Sequence, residues 1–386
     1  MQETGLPQKI VLNELQSMLR EDFTYSSGKI LGSMCNEPHT FAKRVYIKWL
    51  EKNLGDPGLF PATAKLEQEA IRMLGSLLSN PNAYGHVVSG GTEANILALW
   101  AARNLNKEHN EVIVPVSAHI SFDKAADLLN LKLIKVGLND LFQMDVTDAE
   151  NAITSKTTAI AGIAGTTELG VVDPILELSE IALDHNIHLH VDAAFGGFVL
   201  PFLKETSSDV PEFDFSLLGV RSITMDPHKM GLAPIPSGGI LFRDEATMKR
   251  VGKRIPYLAG GETEQTTLLG TRSGASVVTV WALLKHLGRK GYETVVKRCM
   301  QLTRDLAEGV QRIDGVNLVT PPTINIVGIK SDAVEIGLIA QELRNKGWAI
   351  SLFPNHIRTV IMPHVKSLHI KNFLNDLEMI MEKLSR

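Results

Sequence analysis

From about residue 84 to residue 243, short β-branched runs alternate with helical patterns, and this alternation constrains the fold more than any other feature of the chain. Residues 111–115, 131–138, 157–164, 187–192, 222–226 and 239–243 read as strands, and 121–130 and 174–185 as helices. Strands that alternate with helices predict an α/β fold, with a mostly parallel sheet covered by helices on both faces. Ligands of such sheets sit outside the carboxyl ends of the strands. After about residue 290 the pattern changes to a helix at 291–313, strands at 316–320 and 324–329, a helix at 333–346, strands at 348–352 and 357–362, and a terminal helix from 365. That is the pattern of a small α+β domain. The first 60 residues are mostly helical, interrupted at 54–59 by Leu-Gly-Asp-Pro-Gly-Leu. The expected division is an N-terminal arm over 1–60, a large domain over 61–290 and a small domain over 291–386, which a chain of 386 residues can accommodate.

Charge and cysteine usage narrow the functional classes. A formal net charge of −4 with both signs interspersed gives no electrostatic case for nucleic acid or an anionic membrane. No apolar run is long enough to span a bilayer. The first 22 residues carry Glu3, Lys9, Glu14, Arg20, Glu21 and Asp22 and lack an apolar signal core, so a cytoplasmic location is expected. Cys35 and Cys299 have no metal-ligand spacing, and the 12 histidines fall into no HExxH pattern, so no metal site is expected.

The chemistry is concentrated in two segments, His190-Val191-Asp192-Ala193-Ala194 and Asp226-Pro227-His228-Lys229. A lysine in a sharp turn after one strand, with an aspartate at the end of an earlier one, is what pyridoxal 5′-phosphate chemistry requires. The amine forms a Schiff base with the cofactor aldehyde, and the carboxylate keeps the pyridine nitrogen protonated. Upstream, Ser89-Gly90-Gly91-Thr92-Glu93-Ala94-Asn95 opens a helix. Its free N–H groups and dipole suit a phosphate, with Gly91 allowing close approach and Thr92 adding a hydroxyl. Alone, this segment is equally an N-cap with turn glycines. His119, just after a strand, can stack on a ring or simply cap a helix. Thr167 in the 165–170 turn can bond a ring substituent, Glu168 beside it has the default of a solvated carboxylate, and Ala194 is small enough to lie beneath a ring. Asp226 and His228 can help to hold the lysine turn or the phosphate. Tyr257 lies in a glycine-bearing segment with the look of a mobile loop, Thr271 and Arg272 in 270–274 can reach a phosphate, and Arg358 on a late strand can grip a carboxylate. For these last segments a structural role competes evenly.

Taken together, SGGTEAN, AGTTELGVVDP, HVDAAFGG, SITMDPHKMG, PIPSGGI and LGTRSGA resemble the fold-type I, pyridoxal phosphate-dependent group II amino-acid decarboxylases. The likeness is strongest to their archaeal L-tyrosine/L-aspartate branch and covers nearly the whole chain. It implies that Lys229 forms the internal aldimine, Asp192 pairs with the pyridine nitrogen and His119 stacks on the ring. It also implies that Gly91 and Thr92 bind phosphate, that Thr167 and Ala194 line the ring edge, and that Asp226 and His228 occupy the lysine turn. Tyr257 matches a loop tyrosine that protonates the carbanion after CO₂ leaves, and Arg358 an arginine near the substrate carboxylate. A homodimer with active sites at the subunit interface is implied as well. An aminotransferase or a carbon–carbon lyase of the sphingosine-phosphate aldolase type would use the same constellation. Among substrates, aspartate (giving β-alanine for coenzyme A) is placed ahead of tyrosine (giving tyramine for methanofuran), with glutamate also open.

Overall fold

The computed structural model describes residues 1–204 and 210–385. Its large sheet is built from β1 (Tyr84–Val88), β2 (Glu111–Pro115), β3 (Lys132–Val136), β4 (Thr157–Ile163), β5 (His188–Asp192), β6 (Val220–Met225) and β7 (Gly238–Phe242). The strand order is β1-β7-β6-β5-β4-β2-β3. β2 pairs in parallel with β3 and β4, β4 with β5, and β5 with β6; β7 alone runs against its neighbours β6 and β1. Every residue of β2, β4, β5 and β7 is buried, as expected for strands covered on both faces.

β7 begins against the loop that follows β1. A Cβ on Gly238 would come within 2.4 Å of the Gly90 Cα, so only glycine lets the two backbones meet there. Beyond β7, β8 (Lys253–Ile255) and β9 (Thr263–Gln265) pair as an antiparallel hairpin where sequence suggested only a loop. Both strands are half-buried or exposed and largely charged or polar, so they carry no apolar period to read.

A second, antiparallel sheet is formed by β10 (Asn317–Leu318), β11 (Ile326–Lys330), β12 (Ser351–Phe353) and β13 (His356–Val360), in the order β10-β11-β13-β12. The helix expected at 291–313 is the second half of a longer element, Gly274–Val310, broken at Gly288, whose φ of 56° and ψ of −173° are not helical. Along it, buried residues as far as Met300 join the core of the large sheet, and those from Leu302 join the core of the small one. The arm begins with a helix, Gln8–Met18, that has no buried residue. Residues 30–32 then run beside the small sheet, with Leu31 N–H and Gly32 N–H both donating to the Ala349 carbonyl. No helix among the described residues is long and apolar enough to cross a membrane.

Candidate active site

The carboxyl ends of β1, β2, β4, β5 and β6 point to one side of the sheet, and the residues that follow them converge. Gly91 and Thr92, His119, Thr167, Asp192 and Ala194, and Asp226, His228 and Lys229 all line one cavity of about 450 Å³, joined by Met34 of the arm. That volume suits a small ligand or cofactor.

The phosphate end of the cavity is the start of helix Gly91–Arg103. No side chain among the described residues caps it at Gly90. A Cβ on Gly91 would lie 2.9 Å from Asp226 Oδ2 and 3.3 Å from the Ala194 Cβ, so the glycine is required by the close approach of two neighbouring strand ends. An uncapped helix start of this kind offers N–H groups and a positive dipole end to an anion.

Lys229 sits in a turn tied at both ends. Its N–H donates to the Asp226 carbonyl at 3.0 Å, and its own carbonyl accepts from Asn36 Nδ2 at 2.6 Å. The Nζ lies 3.3 Å from Asp226 Oδ2, and His228 Nε2 lies 3.7 Å from the same oxygen. Burial lowers the pKa of His228, with Asp226 pulling the other way. His119 is also lowered by burial, against the opposing pull of Asp192, so its imidazole is neutral. Its Nδ1 accepts the Ser121 N–H at 3.2 Å, which leaves the ring proton on Nε2.

Several buried atoms around this turn have no hydrogen-bond partner among the described residues: Asp226 Oδ1, His228 Nδ1, Asn36 Oδ1 and Ser237 Oγ. Buried polar groups are rarely left so, and a gathering of them beside a cavity marks a place for a polar ligand. Asp192, in contrast, is firmly held. Its Oδ2 accepts from Asn95 Nδ2 at 2.8 Å and its Oδ1 from the Ala194 N–H at 3.0 Å. An amine, a buried carboxylate and an anion-binding helix start around one cavity fit pyridoxal 5′-phosphate, with Lys229, Asp192 and residues 90–92 as the groups that would hold its aldehyde, ring nitrogen and phosphate.

Five residues singled out from sequence lie elsewhere. Arg358 is buried, but its Nη1 donates to the Thr167 carbonyl at 2.7 Å and its Nη2 to the Gly32 carbonyl at 2.6 Å and Ser351 Oγ at 2.8 Å. It therefore fastens the arm and the loop after β4 to the small sheet, and only its Nε lacks a partner among the described residues. Glu168 lies beside it; burial raises the glutamate pKa and Arg358 opposes the rise. Tyr257 is 81% exposed at the β8–β9 turn, outside the cavity. Thr271 packs against Gly55, where an added Cβ would meet its Oγ1 at 3.0 Å, also outside. Arg272, whose role sequence left open, forms a buried ion pair with Glu67. Asn95, Met34 and Asn36 were given no role from sequence. Asn95 had a readable signal: it stands four residues after Gly91, on the same helix face.

The chain matches the family model described as "Pyridoxal-dependent decarboxylase conserved domain" over residues 48–330. It is 51% identical over 383 residues to the L-aspartate decarboxylase of Thermococcus kodakarensis, covering 99% of each chain. It is 51% identical to the L-aspartate/L-glutamate decarboxylase of Pyrococcus horikoshii, covering 98% of each. With the probable L-tyrosine/L-aspartate decarboxylase of Methanothermobacter thermautotrophicus it shares 52% over 358 residues, 92% of this chain and 98% of that one. Among solved structures, the sphingosine-1-phosphate lyase of Burkholderia pseudomallei superposes with a TM-score of 0.93 at 29% identity, covering 100% of this chain and 93% of the other. The Lactobacillus brevis glutamate decarboxylase, at 21% identity and a TM-score of 0.91 over 100% and 95% of the two chains, shares the fold.

Proposed function

This chain belongs to the pyridoxal-dependent decarboxylase family and removes CO₂ from an amino acid with pyridoxal 5′-phosphate as cofactor; we propose that the amino acid is L-aspartate and the product β-alanine. The observation that carries this choice is that aspartate is the one substrate common to the names of all three curated relatives above. β-Alanine would feed coenzyme A synthesis. Two free cysteines suit the reducing cytoplasm as its place of work.

The residues divide the work as follows. Lys229 binds the cofactor through its amine, and Asp226, 3.3 Å away, holds that amine in place. Gly91 and Thr92 take the phosphate at the helix start, and Asp192 holds a proton on the ring nitrogen. The bound cofactor supplies an electron sink for the pair left behind when CO₂ departs. His119 would pack against the ring, and, with its Nδ1 taken by the Ser121 N–H, its Nε2–H would be the group to donate to the departing carboxylate. Thr167 and Ala194 would border the ring, while Ile163, Phe195 and Met34 give the cavity apolar walls. Arg358 positions the Thr167 loop through its bond to the Thr167 carbonyl.

We further propose that the enzyme is a homodimer. Helix Gln8–Met18 exposes Ile10, Val11, Leu12, Leu15 and Met18, and a second copy of the chain would cover that face. Tyr257, as the donor of a proton to Cα, and Thr271, as a phosphate ligand, would then serve the cavity of the partner. Light scattering should return a dimer, and a monomer would overturn this part.

The test of the reaction is CO₂ release and product mass with aspartate, glutamate and tyrosine in the presence of pyridoxal 5′-phosphate. β-Alanine as the main product is expected. Tyramine or 4-aminobutyrate as the main product would overturn the substrate, and keto acids without CO₂ would overturn the roles given to the residues.

A further inference from the structure

Beside Asp192, starting from Asn95, which itself lines the cavity, buried polar side chains form a chain of hydrogen bonds with a single direction. Asn95 Nδ2 donates to Asp192 Oδ2 at 2.8 Å and to Ser121 Oγ at 2.9 Å. A carboxylate only accepts, so the amide turns its nitrogen to Asp192 and its Oδ1 to the other side. There Oδ1 faces the Thr224 hydroxyl at 2.7 Å and His190 Nε2 at 3.0 Å, and both must be donors. Burial lowers the His190 pKa to about 4, so the ring is neutral with its proton on Nε2 and a bare Nδ1. The Ser222 hydroxyl, 2.9 Å from that Nδ1, donates to it. Ser222 Oγ then accepts from His188 Nε2 at 2.8 Å, which leaves His188 Nδ1 bare. That atom indeed has no partner among the described residues. Asn95, His188, His190, Ser222 and Thr224 are each at most 1% exposed.

We propose that Asn95 is a positioning residue: it fixes the Asp192 carboxylate against the cofactor ring nitrogen, and the relay behind it locks the direction of its amide. A flipped amide would bring its oxygen against the carboxylate and its N–H groups against the His190 Nε2–H, so the relay disfavours every orientation but the one in which Asn95 supports Asp192. The inference rests on the reading that Asp192 meets the ring nitrogen.

The experiment titrates unloaded protein with pyridoxal 5′-phosphate and with its carbocyclic analogue, in which C–H replaces the ring nitrogen. Asn95→Leu keeps the volume and removes every bond. It should weaken binding of the natural cofactor by about tenfold to a hundredfold, the worth of a hydrogen bond to a charged group, and leave the analogue unchanged. An equal loss for both ligands would reduce Asn95 to a packing residue and overturn the proposal, as would no loss for either. Thr224→Val removes one donor to the amide without touching Asp192 and should give a smaller loss in the same sense. If Asn95→Leu does not fold, the same two affinities measured on Thr224→Val decide. Asp192→Asn separates the two levels of argument. If it discriminates between the ligands and the Asn95 and Thr224 variants do not, only this inference falls. If Asp192→Asn treats both ligands alike, the assignment of Asp192 falls as well.

Discussion

Glu67 with Arg272, beneath β1, and Asp226 with Lys229, beyond β6, are both carboxylate–cation pairs removed from water. In the first pair nearly every valence is filled. Glu67 Oε1 accepts from Arg272 Nη1 at 2.5 Å and from the Val87 N–H at 3.0 Å, while Oε2 accepts from Arg272 Nη2 at 3.1 Å and faces His86 Nδ1 at 3.3 Å. Arg272 Nη1 also donates to the Val87 carbonyl at 2.8 Å, so the pair grips both polar groups of one residue in β1. Burial pushes the Glu67 carboxyl up, yet Arg272 and His86 together pull it below the usual carboxylate range. In the second pair one carboxylate oxygen sits 3.3 Å from the lysine, and the other has no partner among the described residues. A buried pair that fills its valences acts as a clamp, and one that leaves them open waits for a ligand.

The largest test of this contrast is Lys229→Ala. It should lower CO₂ release by about 10⁴-fold, the scale of losing a covalent catalytic group. Arg272→Ala should act on stability instead. It strands a buried carboxylate, and about 3–5 kcal/mol of stability should disappear in urea denaturation. The double change Glu67→Leu with Arg272→Met should restore most of that loss, because no charge remains to be desolvated. Full stability in Arg272→Ala would show that the pair is no clamp.

The relay of His188 and His190 is a third kind of buried cluster, polar but neutral, and acid should charge it. For His190 the folded pKa, about 4, lies below the ordinary histidine value of 6.5. Its contribution is therefore complete above pH 6.5 and is lost as the pH falls toward 4, about 3 kcal/mol in all. Asp173, whose carboxyl burial raises to about 6, titrates in the same window with the opposite sign. Its folded form takes up a proton before the unfolded chain does. The histidine term must thus be read as a difference. Denaturation of the wild type and of His190→Gln between pH 7 and pH 5 should converge as the pH falls. Parallel curves would mean that the relay does not titrate.

Sequence made the sheet legible because β2, β4, β5, β6 and β7 are short apolar, β-branched runs, and burial on both faces demands just that. The direction of β7 was not legible, since no residue type marks which way a strand runs. Residues 274–284 were not read as helix for a related reason. That helix is buried on nearly every side, so it has no polar face to set a 3.6-residue period. In the site, the residues that follow strand ends could be named one motif at a time, and the cavity gathers Gly91, Thr92, His119, Thr167, Asp192, Ala194, Asp226, His228 and Lys229. Met34, which lines the cavity, and Asn36, which holds the Lys229 carbonyl, could not be named, because they come from the arm, far away in sequence. The exposed Tyr257, and Thr271 beside Gly55, carry the same lesson in reverse: a motif names a residue type but not the cavity it faces.

Asp226→Asn carries the comparison to its finest point, since it changes one oxygen in the open cluster. Asp226 is 1% exposed and gains only the lysine and a distant imidazole for its desolvation. An unpartnered carboxylate oxygen costs more than an unpartnered amide. The amide can still turn its oxygen to the Lys229 amine, so the unloaded variant should match the wild type within about 0.5 kcal/mol in denaturation, or exceed it. CO₂ release should nevertheless fall by about a hundredfold, because the lysine loses the charge that holds it in place. A loss of several kcal/mol, like that expected for Arg272→Ala, would show that the two carboxylate–cation pairs serve the same structural purpose. A stable protein with impaired turnover would show that the open valence at Asp226 is kept for chemistry.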